Sequence, residues 1–306
     1  MKMRETAIRE YNLLLQKYFE TRLDMIEASL KQYISPQTAP AKELKKATRY
    51  AIFPGGKRWR PLLLLAMYDM LTGMKGKSMA EALKAATALE IAHNAALTHD
   101  DLPFLMNRTE RRAAPALHMK YDNTVGILAG DALYALAFEI LSDITPPSKA
   151  LACIRILSIS TRTYGLIGGQ AVALESKHRV MKLNTLRYID SKKVGSLLQA
   201  GADMACVLAG AEENTRQIMS GYALNLGLAY QMIEDINKDY KHGSEDIDFD
   251  EDYVPASKRT YTGFLGFDKA RLAVEKMLDE SLRMISPFEH TDVLVEFVQM
   301  IKENLP

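Results

Sequence analysis

The sequence has almost no excess of charge and very little cysteine. Its 306 residues carry 39 Lys and Arg against 38 Asp and Glu, a net charge of +1, so it lacks the overall positive charge that is typical of nucleic-acid-binding proteins. Two cysteines, Cys153 and Cys206, are too few for a disulfide framework and favour a reducing compartment. We therefore expect no nucleic-acid partner and a cytoplasmic location.

Long apolar runs are also missing. The first 20 residues contain no unbroken apolar stretch of the signal-peptide type. The most apolar segment, Val125 to Leu141, includes Asp131 and Glu139 and is shorter than the roughly 20 residues that a membrane-spanning helix needs. The sequence therefore predicts a soluble protein with no integral membrane span.

Proline is absent between Ser148 and Val254, and the hairpin dipeptides Asn-Gly and Asp-Gly occur nowhere in the chain. Both absences favour helices over strands. Within the proline-free interval, apolar residues recur at spacings of three and four, as at Val194, Leu197 and Leu198. The sequence therefore predicts an all-α protein.

Clusters of proline and glycine are expected to separate the helices, for example at residues 54–56 and 146–147. No linker, repeat or low-complexity tract divides the chain, so residues 1–306 are predicted to form a single all-helical domain. Several central segments, including residues 126–141, are apolar almost all round. Such helices must be buried inside a bundle or in an oligomer interface.

A basic segment that contains two glycines, FPGGKRWRP, runs from Phe53 to Pro61. The glycines let the backbone approach a ligand closely, and Lys57, Arg58 and Arg60 place three positive charges within four positions. Such a loop at the start of a helix suits a phosphate or a diphosphate. Taken alone, a basic turn on the surface explains the pattern equally well.

A second segment, EIAHNAALTHDDLP, covers residues 90–103. At 3.6 residues per turn, His93 and Asp100 lie on one helix face. Asp100 and Asp101 would end the helix with two acids, which opposes the helix dipole and therefore favours a functional role over chance. Carboxylate oxygens suit Mg²⁺ that is bridged to substrate phosphates. The arginine pair at 111–112 adds guanidinium groups suited to phosphate oxygens.

A third polar segment, GLAYQMIEDINKDY, covers residues 227–240. Gln231, Glu234 and Asp235 share one helix face. They could form a solvent-exposed stripe in which Glu234 pairs with Lys238 one turn later. They could also form a second acidic wall opposite Asp100. The residues alone favour neither interpretation decisively.

The order of these motifs resembles that of the trans-isoprenyl diphosphate synthases. GGKRWRP, HDDLP, the double arginine, ILAGDAL, GGQA, KKVG, LAYQMIEDI and SKRTY follow one another from about Phe53 to Gly266. The resemblance implies an isoprenoid synthase-like, single-domain helical bundle around a deep central cavity, usually a homodimer. It also implies Mg²⁺-dependent prenyl transfer, in which an allylic prenyl diphosphate ionises and is attacked by the double bond of isopentenyl diphosphate.

The resemblance assigns roles to individual positions. The residues expected to hold isopentenyl diphosphate are Gly56, Lys57, Arg60, His93 and Arg112. Those expected around the allylic diphosphate are Arg111, Lys193, Gln231 and Lys258. The acids expected to hold Mg²⁺ are Asp100, Asp101, Glu234 and Asp235. The expected catalytic set is Asp100, Asp101, Arg111, Lys193 and Lys258.

The sequence departs from the family pattern mainly at acids that hold or orient metal. The last acid of the first motif falls on Met106, that of the second on Lys238, and Ala173 stands where an aspartate is usual. Three functions therefore remain open. The chain could be a synthase with an altered metal cage, a diverged class I terpene synthase or cyclase, or a catalytically silent paralogue that acts as a regulatory subunit or lipid-diphosphate binder.

Product length is expected to depend on the residues just before the first acid, which in the family form the floor of the hydrocarbon pocket. Here they are Ala95 and Ala96, and neither side chain is long enough to stop a growing chain. The expected products therefore extend from C15–C20 to longer chains, with Tyr134 or Phe138 as deeper candidate floors. Alternatively, the two alanines only allow close helix packing.

Overall fold

Helices form nearly all of the part of the chain that the structure describes, and the predicted all-α bundle is confirmed. The computed structural model describes residues 13–34, 40–73, 79–241 and 259–306. The helices are α1 (Leu13–Tyr33), α2 (Lys42–Ile52), α3 (Trp59–Thr72), α4 (Ala80–Asp100), α5 (Leu117–Lys120), α6 (Asn123–Ser142), α7 (Pro147–Thr161), α8 (Leu166–Glu175), α9 (Leu183–Asp190), α10 (Ser196–Ala209), α11 (Glu213–Lys241), α12 (Tyr261–Leu265), α13 (Phe267–Ile285) and α14 (Asp292–Lys302).

The centre of the bundle is α4, which packs along α1, α3, α6 and α10. Its buried face consists largely of alanine, and the small side chains let the neighbouring helices approach closely. The helix α3 is buried on every side from Pro61 to Met70, which explains the run of four leucines in its sequence. The expectation that all-apolar segments lie inside the bundle is therefore confirmed for α3.

The predicted helix breaks at residues 54–56 and 146–147 are confirmed, since α2 ends at Ile52 and α7 begins at Pro147. A short hairpin was not predicted: strand β1 (Glu110–Arg111) pairs antiparallel with β2 (Ala114–Pro115). Its two turn residues, Arg112 and Ala113, have φ of 55° and 57°. Two-residue hairpins need this left-handed backbone, which is normally supplied by glycine or asparagine, so the sequence carries no signal for the turn.

The helices α9 and α10 are joined without a break by a π-helical turn, Ser191–Gly195. The helix α8 packs tightly against this turn, because a Cβ on Gly169 would lie 2.5 Å from Cβ of Lys192. Turns of π-helix are rare and occur often at functional sites. This one carries Lys193, which was expected near the allylic diphosphate.

Two helical stretches in the described part, Asn123–Ser142 and Pro147–Glu175, are long and apolar enough by length and composition to cross a membrane, with mean hydropathies of 1.6 and 1.2. Helices in the interior of soluble bundles pass the same test, and α6 packs against α4 along its length. Only 39% of the α6 window is buried, and its exposed side chains include Ile127 and Leu128 as well as the acids Asp131 and Glu139.

Candidate active site

The five residues expected to hold isopentenyl diphosphate lie around one cavity of about 220 Å³. The loop before α3 contributes Gly56 and Lys57, and the first turn of α3 contributes Arg60. His93 comes from α4 and Arg112 from the hairpin turn, and Gln231 reaches the same cavity from α11. The polar lining comprises Gly56, Lys57, Arg60, His93, Arg112 and Gln231. Segments far apart in the sequence thus meet at one cavity, and their role in binding isopentenyl diphosphate stays a prediction.

The cavity holds several cations that are partly shielded from water. Burial lowers the pKa of the Arg60 guanidinium, and it lowers the pKa of Arg112 to about 10. Burial, followed by the charges of Arg60 and Arg112, holds the pKa of His93 well below its usual range. His93 is therefore neutral, and its Nε2 lies 3.2 Å from Nη1 of Arg60. Crowded cations of this kind favour an anionic ligand.

Gly56 is required by the approach of Arg112 to the loop backbone. Its φ is 142°, and a Cβ at this position would lie 2.9 Å from Cζ of Arg112. Any side chain here would push the guanidinium away from the cavity. The glycine of the motif therefore sets the distance between the loop and the arginine of the hairpin turn.

Three aromatic side chains, to which the sequence analysis gave no role, line the cavity: Trp59, Tyr230 and Phe297. The Trp59 ring lies 5.0 Å from that of Tyr230 and 6.2 Å from that of Phe297, measured between ring centroids. Nζ of Lys57 lies 5.7 Å from the centroid of Tyr230, so the ring also faces the cation. Phe297 belongs to the last helix, which no motif in the sequence marks.

Arg111 and Arg112 are adjacent in the sequence but point to different places. Arg112 lines the cavity, whereas Nε of Arg111 donates a hydrogen bond to Oδ2 of Asp101 at 3.0 Å and its Nη2 contacts Oδ1 of the same carboxylate. The left-handed turn at residue 112 separates the two side chains. Asp101 is 3% exposed, so this bidentate pair takes up most of its surface. Its expected role as a metal ligand stays a prediction.

Lys193 reaches from the π-helical turn to the acid end of α4, where its Nζ lies 3.8 Å from Oδ2 of Asp100. Four predicted residues are thus gathered in one place: Asp100, Asp101, Arg111 and Lys193. The two cations offset the unfavourable interaction of two acids with the C-terminal end of the helix. Arg111 and Lys193 could therefore both contact a diphosphate bound at this end of α4.

The second acidic segment lies on α11, and its two acids, Glu234 and Asp235, have different surroundings. Asp235 accepts hydrogen bonds from the backbone N of Tyr261 at 3.3 Å and from Nε2 of Gln231 at 3.5 Å, and burial raises its pKa to about 6. Burial and the neighbouring Asp235 raise the pKa of Asp190 to about 7, and no motif indicated this acid. Glu234 is exposed, and no ion pair joins it to Lys238 in the described part of the chain.

Asp239 has a structural role. It is 8% exposed and accepts a hydrogen bond from Oγ1 of Thr260 at 2.7 Å and another from Thr262. Thr260 in turn caps α12 by accepting a bond from the backbone N of Gly263 at 3.1 Å. Asp239 therefore fastens α12 to α11. Lys258, expected at the allylic diphosphate, lies outside the described residues.

Within the described ranges, no group of three or more His, Cys, Asp or Glu side chains is arranged to hold a metal ion. The oxygen donors of Asp100 and Glu234 nevertheless suit Mg²⁺ that also binds phosphate oxygens, since Mg²⁺ in proteins often takes few carboxylates and completes its shell with substrate and water. Met106, which is 43% exposed, adds no such donor. The residues therefore fit a cation that arrives with a diphosphate better than a free ion.

The comparisons with known proteins agree with this geometry. A family model described as polyprenyl synthetase matches residues 41–284. The chain is 36% identical over 298 residues to a dimethylallyltranstransferase of Fischerella ambigua, covering 94% of this chain and 83% of the relative. It is 35% identical over 287 residues to a geranylgeranyl diphosphate synthase of Cyanophora paradoxa, covering 91% and 92% respectively.

A solved structure supports the same relationship. The apo crystal structure of an FPP/GFPP synthase from Zymomonas mobilis superposes with a TM-score of 0.83 at 29% sequence identity. The match covers 94% of this chain and 98% of that one. The overall fold of this chain thus occurs in a protein of similar length.

Proposed function

The chain belongs to the polyprenyl synthetase family, and on that premise we propose that it is a trans-prenyltransferase. It condenses an allylic prenyl diphosphate with isopentenyl diphosphate to give a longer all-E prenyl diphosphate. The observation that carries this proposal is the cavity in which Lys57, Arg60, His93 and Arg112 converge. Val194 lines the same cavity, and Nζ of the preceding residue, Lys193, lies 3.8 Å from Oδ2 of Asp100 at the end of α4. Relatives named as farnesyl and geranylgeranyl diphosphate synthases support products of C15–C20.

Two groups of residues bind the two diphosphates. Lys57, Arg60 and Arg112 hold the diphosphate of isopentenyl diphosphate, and neutral His93 orients the Arg60 guanidinium. Arg111 and Lys193 face the allylic diphosphate, where their charges favour cleavage of its C–O bond. The allylic cation is attacked by the double bond of isopentenyl diphosphate, and loss of a proton completes the longer product.

We further propose that Mg²⁺ binds together with the allylic diphosphate and that Asp100, Asp101, Glu234 and Asp235 would hold it. When bound, it supplies positive charge to the leaving diphosphate. Asp101 is paired with Arg111 and Asp235 with Tyr261, so few carboxylate oxygens remain free. A high Mg²⁺ requirement follows from this shortage of anionic ligands.

The test is incubation of the pure protein with radiolabelled isopentenyl diphosphate and C5, C10, C15 or C20 allylic diphosphates over a range of Mg²⁺. We expect elongated diphosphates that need Mg²⁺, and loss of at least about 99% of the rate in Asp100→Ala, since removing a central electrostatic group typically costs about 10²-fold or more. The exposed acid Glu139, changed to Gln, is the matched control and should leave the rate unchanged.

Other outcomes would identify the alternatives. Hydrocarbon released without isopentenyl diphosphate would indicate a class I terpene synthase or cyclase. Diphosphate binding without turnover at any Mg²⁺ concentration would indicate a silent paralogue, which the methionine and lysine at positions 106 and 238 favour. Either result would overturn the synthase proposal.

We also propose a homodimer in the cytoplasm. Large apolar side chains are exposed on α6 and α7, where a second copy could cover them: Ile127, Leu128, Leu151 and Ile159. Cys153 and Cys206 are both free and buried, which agrees with a reducing compartment.

A further inference from the structure

Arg58 belongs to the basic motif, but all three nitrogens of its guanidinium donate hydrogen bonds within the protein. The side chain is 0% exposed. Its Nε donates to Oε1 of Glu27 at 2.9 Å, its Nη1 to Oε1 of Glu90 at 2.8 Å, and its Nη2 to the backbone O of Ile52 at 2.9 Å. Each guanidinium nitrogen therefore has a partner within the protein, although Arg58 also borders the cavity.

These three contacts connect the loop between α2 and α3 to three helices. Glu27 belongs to α1, Ile52 ends α2, and Glu90 lies in the middle of α4. Arg58 is the last residue before α3 and has a φ of 51°, a left-handed backbone that is unusual for a residue other than glycine. The side-chain contacts therefore hold the backbone in a conformation that arginine does not favour by itself.

Glu90 is itself fixed in position. It is 2% exposed, and its Oε1 also accepts a hydrogen bond from Nδ2 of Asn94 at 3.0 Å. The same Nδ2 donates to the backbone O of Glu90 at 2.7 Å. Glu90 borders the cavity and is an acid close to Arg60 and Arg112 as well as Arg58.

We propose that Arg58 and Glu90 form a positioning pair that holds the loop in the conformation in which Lys57 and Arg60 bind the diphosphate of isopentenyl diphosphate. Arg58 itself does not touch the substrate. The inference deepens the proposed function and rests on it. A buried ion pair gives little net stability compared with apolar residues of similar size. We therefore assign to this pair the role of positioning the loop.

The test measures the Kd of isopentenyl diphosphate by calorimetry without an allylic primer, so that turnover is not needed, together with thermal unfolding. Arg58→Met leaves Glu90 buried without its cation and should lower the melting temperature and raise the Kd about tenfold or more. The double variant Arg58→Met, Glu90→Leu removes both buried charges. It should regain most of the lost stability while the Kd stays about tenfold raised.

Glu90→Gln separates position from charge. The substitution removes a negative charge near the cavity, so electrostatics alone would tighten the binding of a diphosphate. A positioning role predicts the opposite, a weaker Kd, because the remaining amide no longer holds the Arg58 guanidinium by a charge-assisted bond.

Arg22→Met is the matched control for the loss of an ion pair. Arg22 donates to Oδ2 of Asp69 through Nε at 3.1 Å and Nη2 at 2.9 Å, and neither residue lines the cavity. This variant should lower the melting temperature while the Kd for isopentenyl diphosphate stays within about twofold of the wild-type value.

Recovery of both stability and affinity in the double variant would overturn the inference, because Arg58 would then act on stability alone. So would tighter binding in Glu90→Gln, or a wild-type protein that does not bind isopentenyl diphosphate. Wild-type binding without elongation of any primer would instead overturn the proposed function, and the effect of Arg58 on binding would still be decided.

Discussion

His93 shows how a single side chain is set by its neighbours. It lines the same cavity as Arg60 and Arg112. Burial of the ring and the charges of these two arginines both disfavour a second proton on it. The pKa of His93 therefore lies well below its usual value near 6.5. In the neutral state the ring can accept a hydrogen bond from Arg60, which a protonated ring could not.

The lowered pKa of His93 predicts part of the pH dependence of stability. Below pH 6.5 the unfolded chain binds a proton at this histidine that the folded protein does not, so stability falls as the pH falls. In His93→Gln this contribution is absent. The difference in melting temperature between pH 8 and pH 5 should therefore be smaller than in the wild type, as measured by thermal unfolding. The exposed His290, changed to Gln, is the control, and an equal pH dependence in His93→Gln would contradict the argument.

At the residue level the sequence indicated which side chains surround the site, but not which hydrogen-bond or ion-pair partner each side chain has. The resemblance to the family implied that Lys57, Arg60 and His93 surround one ligand, and all three line one cavity. The resemblance does not reveal that Arg58 is used internally or that Asp101 is paired with Arg111. Those contacts depend on side-chain direction and on partners from distant helices, which the local sequence does not contain.

The helix α4 presents two neighbouring alanines in different surroundings. Ala95 is fully buried in the core, whereas Ala96, one turn before Asp100, is partly exposed. The Tyr134 ring lies 6.2 Å from that of His99, measured between centroids, so Tyr134 is near the acid end of α4. Phe138, one turn further along α6, is the better candidate for a floor.

The face of α4 therefore predicts which substitution changes product length. Ala96→Phe should shorten the product by one or more isoprene units, because the ring would extend from the partly open face below Asp100. Ala95→Phe should instead destabilise the protein by about 1–3 kcal/mol through overpacking. Radiochromatography of products and thermal unfolding of both variants measure these effects. An unchanged product spectrum in a folded Ala96→Phe would show that both alanines serve packing alone.

At the element level the long helices could be predicted and the irregular turns could not. The nearly all-apolar sequence of residues 126–141 was sufficient for α6, and the apolar spacing that includes Leu197 and Leu198 was sufficient for α10. The π-helical turn at Ser191–Gly195 and the hairpin that carries Arg111 have no distinctive local sequence. They are stabilised by tertiary contacts, such as the packing of α8 at Gly169 against Lys192, and these override weak local preferences.

At the scale of the whole molecule, the sequence predicted the bundle because nearly apolar segments must be buried somewhere. The helices α3 and α10 are buried within the described chain, but α6 and α7 keep apolar side chains on their outer surface. Large apolar side chains exposed on neighbouring helices are candidates for a protein–protein interface. The outward face of α6 and α7 is therefore the surface on which a dimer should form.

The last prediction concerns this face. Leu151 on α7 is 68% exposed, and Leu151→Glu should weaken the dimer by at least about tenfold in Kd, because twofold symmetry would place two carboxylates in an apolar interface. Leu272 on α13 is 48% exposed on another helix, so Leu272→Glu is the matched control and should leave association unchanged. Sedimentation equilibrium at micromolar concentration should give twice 34.3 kDa for the wild type and the control. A wild-type monomer, or equal association of both variants, would show that α6 and α7 do not form the interface.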